Sequence, residues 1–419
     1  MEVYLVGGAV RDKIMGSKPH DKDYVVTGST IQEMIDNGYK QVGNDFPVFL
    51  HPETGDEYAL ARTEKKVGDK HTDFIFGFDK QVSLLDDLYR RDFTCNAIAY
   101  NAKNEDCWLN CLIDPFRGQA DIADKVLRAV NPKTFVEDPL RVVRAARFSA
   151  QLGFTVEPNT MELLKKMVNE GMLEHLTPER VWKETEKALT EGYDSNCFFE
   201  VLNECGALKV LFPELYQLTL TPERVEYHPS GNSFKHTMIA LSRVKVYSSQ
   251  TKFMVLCHDF GKGVTPQDIL PKHIGHEYRG LPLIEDFCNR LKVPNEYKKL
   301  AKIFCENHMK FYRMLDMRLS KKYNLVKSIS EKCHNETMLE RMVQSFYADF
   351  HGENVEVNAL NEFNFNKIVE DIWHIFFIMR NVNLDCFSEA CRQRLVRLEG
   401  EKFGKAYNDA MLNYLENHY

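Results

Sequence analysis

No uninterrupted apolar segment among the 419 residues is long enough to span a bilayer, and no early stretch joins a basic flank to an apolar run of signal-peptide type. A soluble, cytoplasmic protein is the default expectation. The sequence also lacks any Cys-x-x-Cys. Its eleven cysteines are scattered through helical or apolar contexts such as Cys257, Cys288 and Cys305, and read as reduced core residues rather than a disulfide framework. Cys107 and Cys111 can share a helix face but lack the partners of a zinc site. Positive charge is in deficit too. With a formal net charge of −7 the chain has no global attraction for nucleic acid, so RNA contact must rest on local basic patches. There is no internal repeat and no low-complexity tract.

What is present is enough for several cores: 44% hydrophobic and 11% aromatic residues over a length that predicts two to four domains. Residues 1 to about 135 mix strand-like and helical runs. The strand candidates are Val3 to Val6, Asp23 to Val26, Val48 to Leu50, Glu57 to Ala61 and Ile98 to Tyr100. Lys65 to Asp87 shows no sustained period and reads as a loop or a poorly marked strand pair. From Asp138 onward helical periodicity takes over, with helices over Val142 to Leu152, Met161 to Val168, Glu179 to Leu189 and Cys197 to Cys205. Gly153, Gly171, Gly192 and Gly206 punctuate them like C-caps. Leu220 to Gly231 reads as a linker into a second helical region. The expected fold class is α+β: a mixed head over 1–136, a helical neck and body over 137–219, a second helical domain over 220–330 and a helical tail over 331–419.

Four motifs in the first half carry chemistry. Gly7-Gly8-Ala9-Val10-Arg11-Asp12 follows a short apolar strand, and its bare backbone can approach an anion. Asp21 and Asp23, at i and i+2 of a strand start, can converge on one hard cation such as Mg²⁺. Arg90-Arg91-Asp92-Phe93-Thr94-Cys95-Asn96 reads as adjacent guanidiniums opening a short helix and aimed at a triphosphate. In Glu137-Asp138-Pro139-Leu140-Arg141-Val142-Val143-Arg144, proline in the first turn puts Asp138, Arg141 and Arg144 on one stripe. A carboxylate accepting an exocyclic amine beside a guanidinium donating to a ring nitrogen accepts C or A and refuses U or G.

With Asp114-Pro115-Phe116-Arg117-Gly118 and Leu176-Thr177-Pro178-Glu179-Arg180-Val181-Trp182-Lys183-Glu184, these motifs closely resemble, through about Pro213, class II CCA-adding tRNA nucleotidyltransferases of the bacterial type. The resemblance implies a nucleotidyltransferase head with neck, body and tail helices that adds C, C and A to tRNA 3′ ends from CTP and ATP. It implies Mg²⁺ on Asp21 and Asp23, and nucleotide handling by Gly8, Arg11, Arg91, Asp138, Arg141 and Arg144. Glu57 is a further candidate for the metal site. A poly(A) polymerase, a CC-only or A-only enzyme, and a tRNA-binding or phosphohydrolase protein with an inactive head stand as alternatives.

The second half carries His236, His258-Asp259, His273, His276 and His308. Imidazoles with a carboxylate suit a divalent metal, and the set resembles an HD-type phosphohydrolase domain with His236, His258, Asp259 and His308 as its site. The closing aspartate of such a site is not evident: His308 is followed by Met309, and Asp316 is the nearest later acid. Weakened or lost metal binding is therefore expected there. The basic groups Lys165-Lys166, Lys183, Lys187, Lys298-Lys299 and Lys321-Lys322 are candidates for a phosphate-backbone path.

Overall fold

Strand β1 (Glu2–Val6) ends where Gly7 takes φ 72°, and helix α1 (Gly8–Ile14) starts at once, burying Ala9, Val10 and the stem of Arg11. This is a left-handed turn that glycine adopts without strain. A computed structural model describes the chain except for residues 20, 43–47, 67–73, 78–79, 224–230, 334–335, 353–358, 384–385, 397–399 and 419. It divides into two units, Met1–Leu211 and Phe212–Tyr419.

In the first unit β2 (Asp23–Thr27), α2 (Ile31–Asp36), β3 (Lys40–Val42), β4 (Val48–Leu50) and β5 (Glu57–Leu60) follow α1. A hairpin of β6 (Thr63–Lys66) and β7 (Phe74–Gly77), then α3 (Leu84–Tyr89) and β8 (Ala99–Asn101), complete this part. The main sheet has order β3-β4-β5-β2-β1-β8, with β2 and β5 parallel and every other pairing antiparallel. One face buries Val6, Val25, Ala61 and Ala97 with Leu88 of α3, and the other buries Val26, Phe49 and Leu60 with Met34 of α2. Alternation along β2 thus feeds two cores, and a one-residue slip would exchange them. Both covering helices begin on capping boxes, Thr30 with Glu33 and Ser83 with Asp86.

The second box corrects one expectation. Ser83 starts its helix early, so Arg90 lies at the C-terminal end of α3 and Arg91 just past it, rather than opening a helix; a 3-10 turn over Thr94–Asn96 follows. The Lys65 to Asp87 stretch contains part of the β6–β7 pair, as one of its two readings had it; residues 67–73 and 78–79 lie outside the described residues. Most of the Leu220 to Gly231 linker lies outside them as well.

Next come α4 (Gly118–Ala123), β9 (Val126–Leu127), α5 (Pro132–Phe135), α6 (Leu140–Leu152), β10 (Thr155–Val156), α7 (Pro158–Asn169), α8 (Pro178–Glu191), α9 (Asn196–Glu204) and α10 (Ala207–Leu211). Helix α6 is buried almost all round and packs on α8 and α9. Gly153 ends it in the left-handed conformation, φ 67°. At Gly118 a Cβ would lie 2.2 Å from the carbonyl oxygen of Thr94, so only glycine lets α4 approach the turn after Arg91.

Among the described residues the second unit has helices and no strand. These are α11 (Pro213–Thr219), α12 (Ser233–Arg243), α13 (Ser249–Cys257), α14 (His276–Leu291), α15 (Asn295–Tyr312), α16 (Leu319–Cys333), α17 (Glu336–Phe350), α18 (Ala359–Asn381), α19 (Glu389–Val396) and α20 (Gly400–His418). Phe253 through Cys257 are all fully buried, as an uninterrupted apolar run at the centre of a helical domain must be. Leu300, Phe304, Phe346, Ile372 and Leu415 belong to one large core joining α15, α17, α18 and α20.

Candidate functional site

A cleft of about 610 Å³ in the first unit is lined by Gly7, Gly8, Arg11, Asp21, Asp23, Arg91, Asp92, Asp138, Arg141 and Arg144, together with residues of α8. Every candidate metal or nucleotide residue of the first half is here except Glu57; of the first-half lysines named for a phosphate path only Lys187 lines the cleft. Glu57 pairs in register with Asp23 but is exposed and does not line the cleft. The two acids come from the segment entering β2, and Val6 at the end of β1 lies opposite Asp23, so the sheet brings the glycine turn to them. Both acids are exposed at the mouth of the cleft, yet the protein packed around Asp23 disfavours its charge and pushes its carboxyl up; Arg91 and Lys187 oppose the rise and Asp21 adds to it. Two adjacent carboxylates open to the cleft form a place suited to a hard cation.

The guanidiniums are held by carboxylates and carbonyls. Arg11 donates to Asp12 at 2.7 Å and to Asn96 at 2.6 Å. Asp87, fully buried, takes both Arg90 at 2.6 Å and Arg91 at 3.1 Å. Gly7 carries a second requirement here, because a Cβ would stand 2.8 Å from Nη1 of Arg91. Asp92 accepts from Arg144 at 2.5 Å; burial alone would raise its carboxyl, but Arg144 and Arg141 hold it well below the usual carboxylate range. Arg141 donates to the carbonyl oxygens of Thr134 at 2.9 Å and Arg90 at 2.5 Å and lies over Phe135. Asp138 accepts from the backbone N–H of Leu140 at 3.1 Å and faces Arg180 at 3.8 Å.

Some cleft residues escaped the motif reading. Arg147 continues the Asp138, Arg141, Arg144 stripe by three more residues and binds Glu184 at 2.5 Å and Gln151 at 2.6 Å. The period that found the first three marks it too. Arg180 and Glu191 of α8 also line the cleft, as does Lys187, one of the basic groups named as phosphate-path candidates. With Glu184, which pairs with Arg147 and Arg144, they recur at i, i+4, i+7 and i+11, a single helical stripe whose partners lie elsewhere in the sequence.

The second unit brings its histidines together and adds an acid. Asp349 of α17 lies 3.2 Å from Nε2 of both His236 and His258. The expectation of a missing carboxylate is corrected: it comes 41 residues after His308, from a helix past the boundary expected at 330, and Asp316 is not part of the group. Asp259 stands between two sets of donors, His236 and His258 on one side, His276 and His308 on the other. His276 Nε2 is 3.2 Å from Asp259, and Lys262 is 2.9 Å from it. Nδ1 of His258, His276 and His308 each meets a backbone carbonyl, which turns Nε2 inward. His273 is occupied instead by Thr265 and the carbonyl of Pro222.

All these side chains are buried, and Nε2 of His258, both oxygens of Asp259 and Oδ2 of Asp349 form no hydrogen bond. Burial disfavours charge on His258, yet the carboxylates of Asp259 and Asp349 outweigh it and raise the imidazole to about 10. His308 is driven down to about 3 by burial and by His276. Lys262 offsets part of the charge of Asp259, but two buried carboxylates met by several inward Nε2 atoms form a donor set that fits a divalent cation.

Residues 3–128 match the family described as Poly A polymerase head domain, and residues 153–218 match the one described as Probable RNA and SrmB- binding site of polymerase A. Among solved structures, the Thermotoga maritima CCA-adding enzyme complexed with tRNA_CCA is similar at 21% identity and TM-score 0.61, over 99% of this chain and 87% of that one. The Bacillus stearothermophilus CCA-adding enzyme in complex with CTP is similar at 23% identity and TM-score 0.61, over 99% and 89%. The fold is that of the CCA-adding enzymes. A further CCA-adding enzyme structure, a complex with ATP, is similar at 22% identity and TM-score 0.61 over 99% and 86%. On this fold the poly A polymerase head ends within a few residues of β9, and the cleft is built from the matched head together with α6 and α8. Among the described residues no helix is long and apolar enough to cross a membrane.

Proposed function

We propose that this chain is a CCA tRNA nucleotidyltransferase, adding or repairing the 3′-terminal C, C and A of tRNA from CTP and ATP with release of pyrophosphate. The observation that carries the reading is the meeting, in one cleft of nucleotide size, of the Asp21 and Asp23 pair with the Asp138, Arg141, Arg144 stripe. Solved relatives of the same fold in complex with CTP, ATP and tRNA support it.

Asp21 and Asp23 hold Mg²⁺, which when bound supplies the positive charge that favours the 3′-alkoxide and offsets the charge of the departing pyrophosphate. Gly7 and Gly8 leave room for the phosphates. Arg11 and Arg91 donate to their oxygens in fork geometry. Asp138 accepts from the exocyclic amine of C or A, and Arg141 donates to the ring nitrogen. Asp92 fixes Arg144 so that the guanidinium enters the cleft in one orientation.

Purified protein given tRNA lacking CCA and CTP alone is expected to add two residues, and with ATP also present a third. Incorporation of A but none of C points to a poly(A) polymerase. A halt after two C with both nucleotides present points to a CC-adding enzyme, and A added only to tRNA ending in CC to an A-adding one. No incorporation on any of these substrates would sink the reading.

Asp349 favours a second activity in the other unit. His236, His258, Asp259 and Asp349 would hold one divalent cation, and His276 and His308 with Asp259 a second. When bound there, the cations would supply Lewis-acid chemistry suited to hydrolysis of a phosphoester. Release of phosphate or opening of a 2′,3′-cyclic phosphate, dependent on added Mn²⁺, Ni²⁺ or Mg²⁺ and lost in His258→Ala, is the expected result. Metal-free protein after dialysis against each cation would overturn it.

A further inference from the structure

The stripe of α8 that faces the cleft is charged from end to end, and three of its four members already have partners within it. Arg180 faces Asp138 at 3.8 Å, Glu184 binds Arg147 at 2.5 Å and Arg144 at 3.7 Å, and Glu191 accepts from Gln151 at 3.2 Å. Lys187 is different. Among the described residues it makes no hydrogen bond and no ion pair, although it is half-buried and lines the same cleft as both acids. The arginines beside it offer a contrast: Arg11, Arg91, Arg144 and Arg147 each meet a carboxylate at 3.1 Å or less, and Arg141 is held by two carbonyls.

A lysine ammonium is a compact, strongly hydrated charge that loses solvation when held in a cleft without an anion. Its charge reaches Asp23, on which it has a small lowering influence. It does not pair with that acid, so its charge is left over for something else. In a cleft that receives a nucleoside triphosphate and the 3′ end of an RNA, the anion on offer is a phosphate oxygen.

We infer that Lys187 is a phosphate-binding residue of the transfer reaction, an α8 group that engages a substrate phosphate beside the Asp21 and Asp23 pair. This goes beyond the proposed function by naming a contact from outside the head and the nucleotide-selecting helix, and it rests on that reading. Two phosphates can supply the oxygen: the triphosphate of the incoming nucleotide, or the last phosphodiester of the RNA.

The test replaces Lys187 by Met, which keeps length and removes charge, and by Arg, which keeps charge. Steady-state incorporation into tRNA lacking CCA is measured with CTP and tRNA varied in turn, and binding of CTP with Mg²⁺ and of the tRNA is measured separately without turnover. Removing a charge-assisted bond to phosphate predicts a loss of about tenfold to hundredfold in kcat/KM for Lys187→Met, with Lys187→Arg much closer to wild type. A raised KM and weakened binding for CTP alone assign the contact to the triphosphate; the same change confined to tRNA assigns it to the RNA phosphodiester. Values within twofold of wild type for both substrates, in kinetics and in binding, overturn the inference while leaving the proposed function intact. A wild-type protein that neither incorporates nor binds these substrates removes the function and the inference together. A variant melting well below wild type is set aside in favour of the comparison between Lys187→Arg and Lys187→Gln, judged by the same limits.

Discussion

The cleft of the first unit and the histidine cluster of the second both concentrate charge, but they do so in opposite ways. In the cleft, arginines outnumber acids, most guanidiniums are clasped by a carboxylate or carbonyl, and the site is open enough for a nucleotide. In the cluster every group is buried, and four acceptor or donor atoms of His258, Asp259 and Asp349 have no hydrogen bond. Apart from Lys187, the cationic groups described in the first arrangement are held before a ligand arrives, and it can exchange that ligand. In the second, Lys262 is the cation that meets Asp259, and the buried carboxylates with their facing Nε2 atoms form an arrangement whose cost a bound cation would offset. The contrast suits a substrate site in one unit and a resident metal in the other.

The sharpest way to break the comparison is to remove one acid from the cleft. Asp23→Asn is expected to reduce CTP incorporation by at least about a thousandfold, because it removes part of the cation site at the reacting phosphate. Metal bound in the second unit, measured by elemental analysis after dialysis, is expected to stay unchanged. If Asp23→Asn keeps a tenth of wild-type incorporation, the acid pair is not the reacting centre.

How legible each region was in the sequence follows from how it is assembled. The cleft draws on short motifs in which each needed residue sits within a few positions of the next: Gly7 to Arg11, Asp21 and Asp23, Arg90 to Asn96, Asp138 to Arg144. Strand alternation and helical period then place them. What escaped was anything defined by a partner far away, such as Asp87 under both arginines, or the α8 stripe, whose contacts reach back to Asp138, Arg144 and Arg147. The direction of Arg141 escaped as well, since two carbonyls decide it. In the second unit the histidines were visible because they are rare, but Asp349 is one acid in an amphipathic helix and nothing local distinguishes it. Only the packing of α17 against α12 and α13 brings it to His236 and His258.

A smaller effect separates Asp349 from the acid nearest in sequence. Asp349→Asn is expected to weaken divalent metal binding by on the order of 10- to 100-fold, as loss of a carboxylate beside two imidazole ligands should. Asp316→Asn is expected to leave it unchanged, because Asp316 is not part of the group. Titration of chelator-treated protein with Mn²⁺, followed by calorimetry, reads both. Equal affinities for wild type and Asp349→Asn would return the cluster to a metal-free reading and remove the contrast with the cleft.

The finest test concerns the satisfied half of the comparison. If the ion pairs of the cleft stabilise the folded chain before any substrate binds, stability must fall when their acids are protonated. Asp92 is the clearest case: burial works against its charge, yet Arg144 and Arg141 keep its folded carboxyl well below 3.8. A depressed carboxyl contributes stability that is present above its unfolded value and is lost as pH falls through the folded one. Chemical denaturation between pH 7 and pH 3 is therefore expected to show a decline below about 4 in which Asp92 supplies on the order of 1 kcal/mol. Asp92→Asn should start lower at neutral pH and decline less. The exposed pair of Lys165 and Glu162, 2.9 Å apart, gives the control: Glu162→Gln is expected to leave both the stability at neutral pH and the acid slope as they were. An acid limb identical in Asp92→Asn and wild type would mean that the Arg144 pair contributes nothing in the free protein. The cleft would then depend on its ligand as the cluster does.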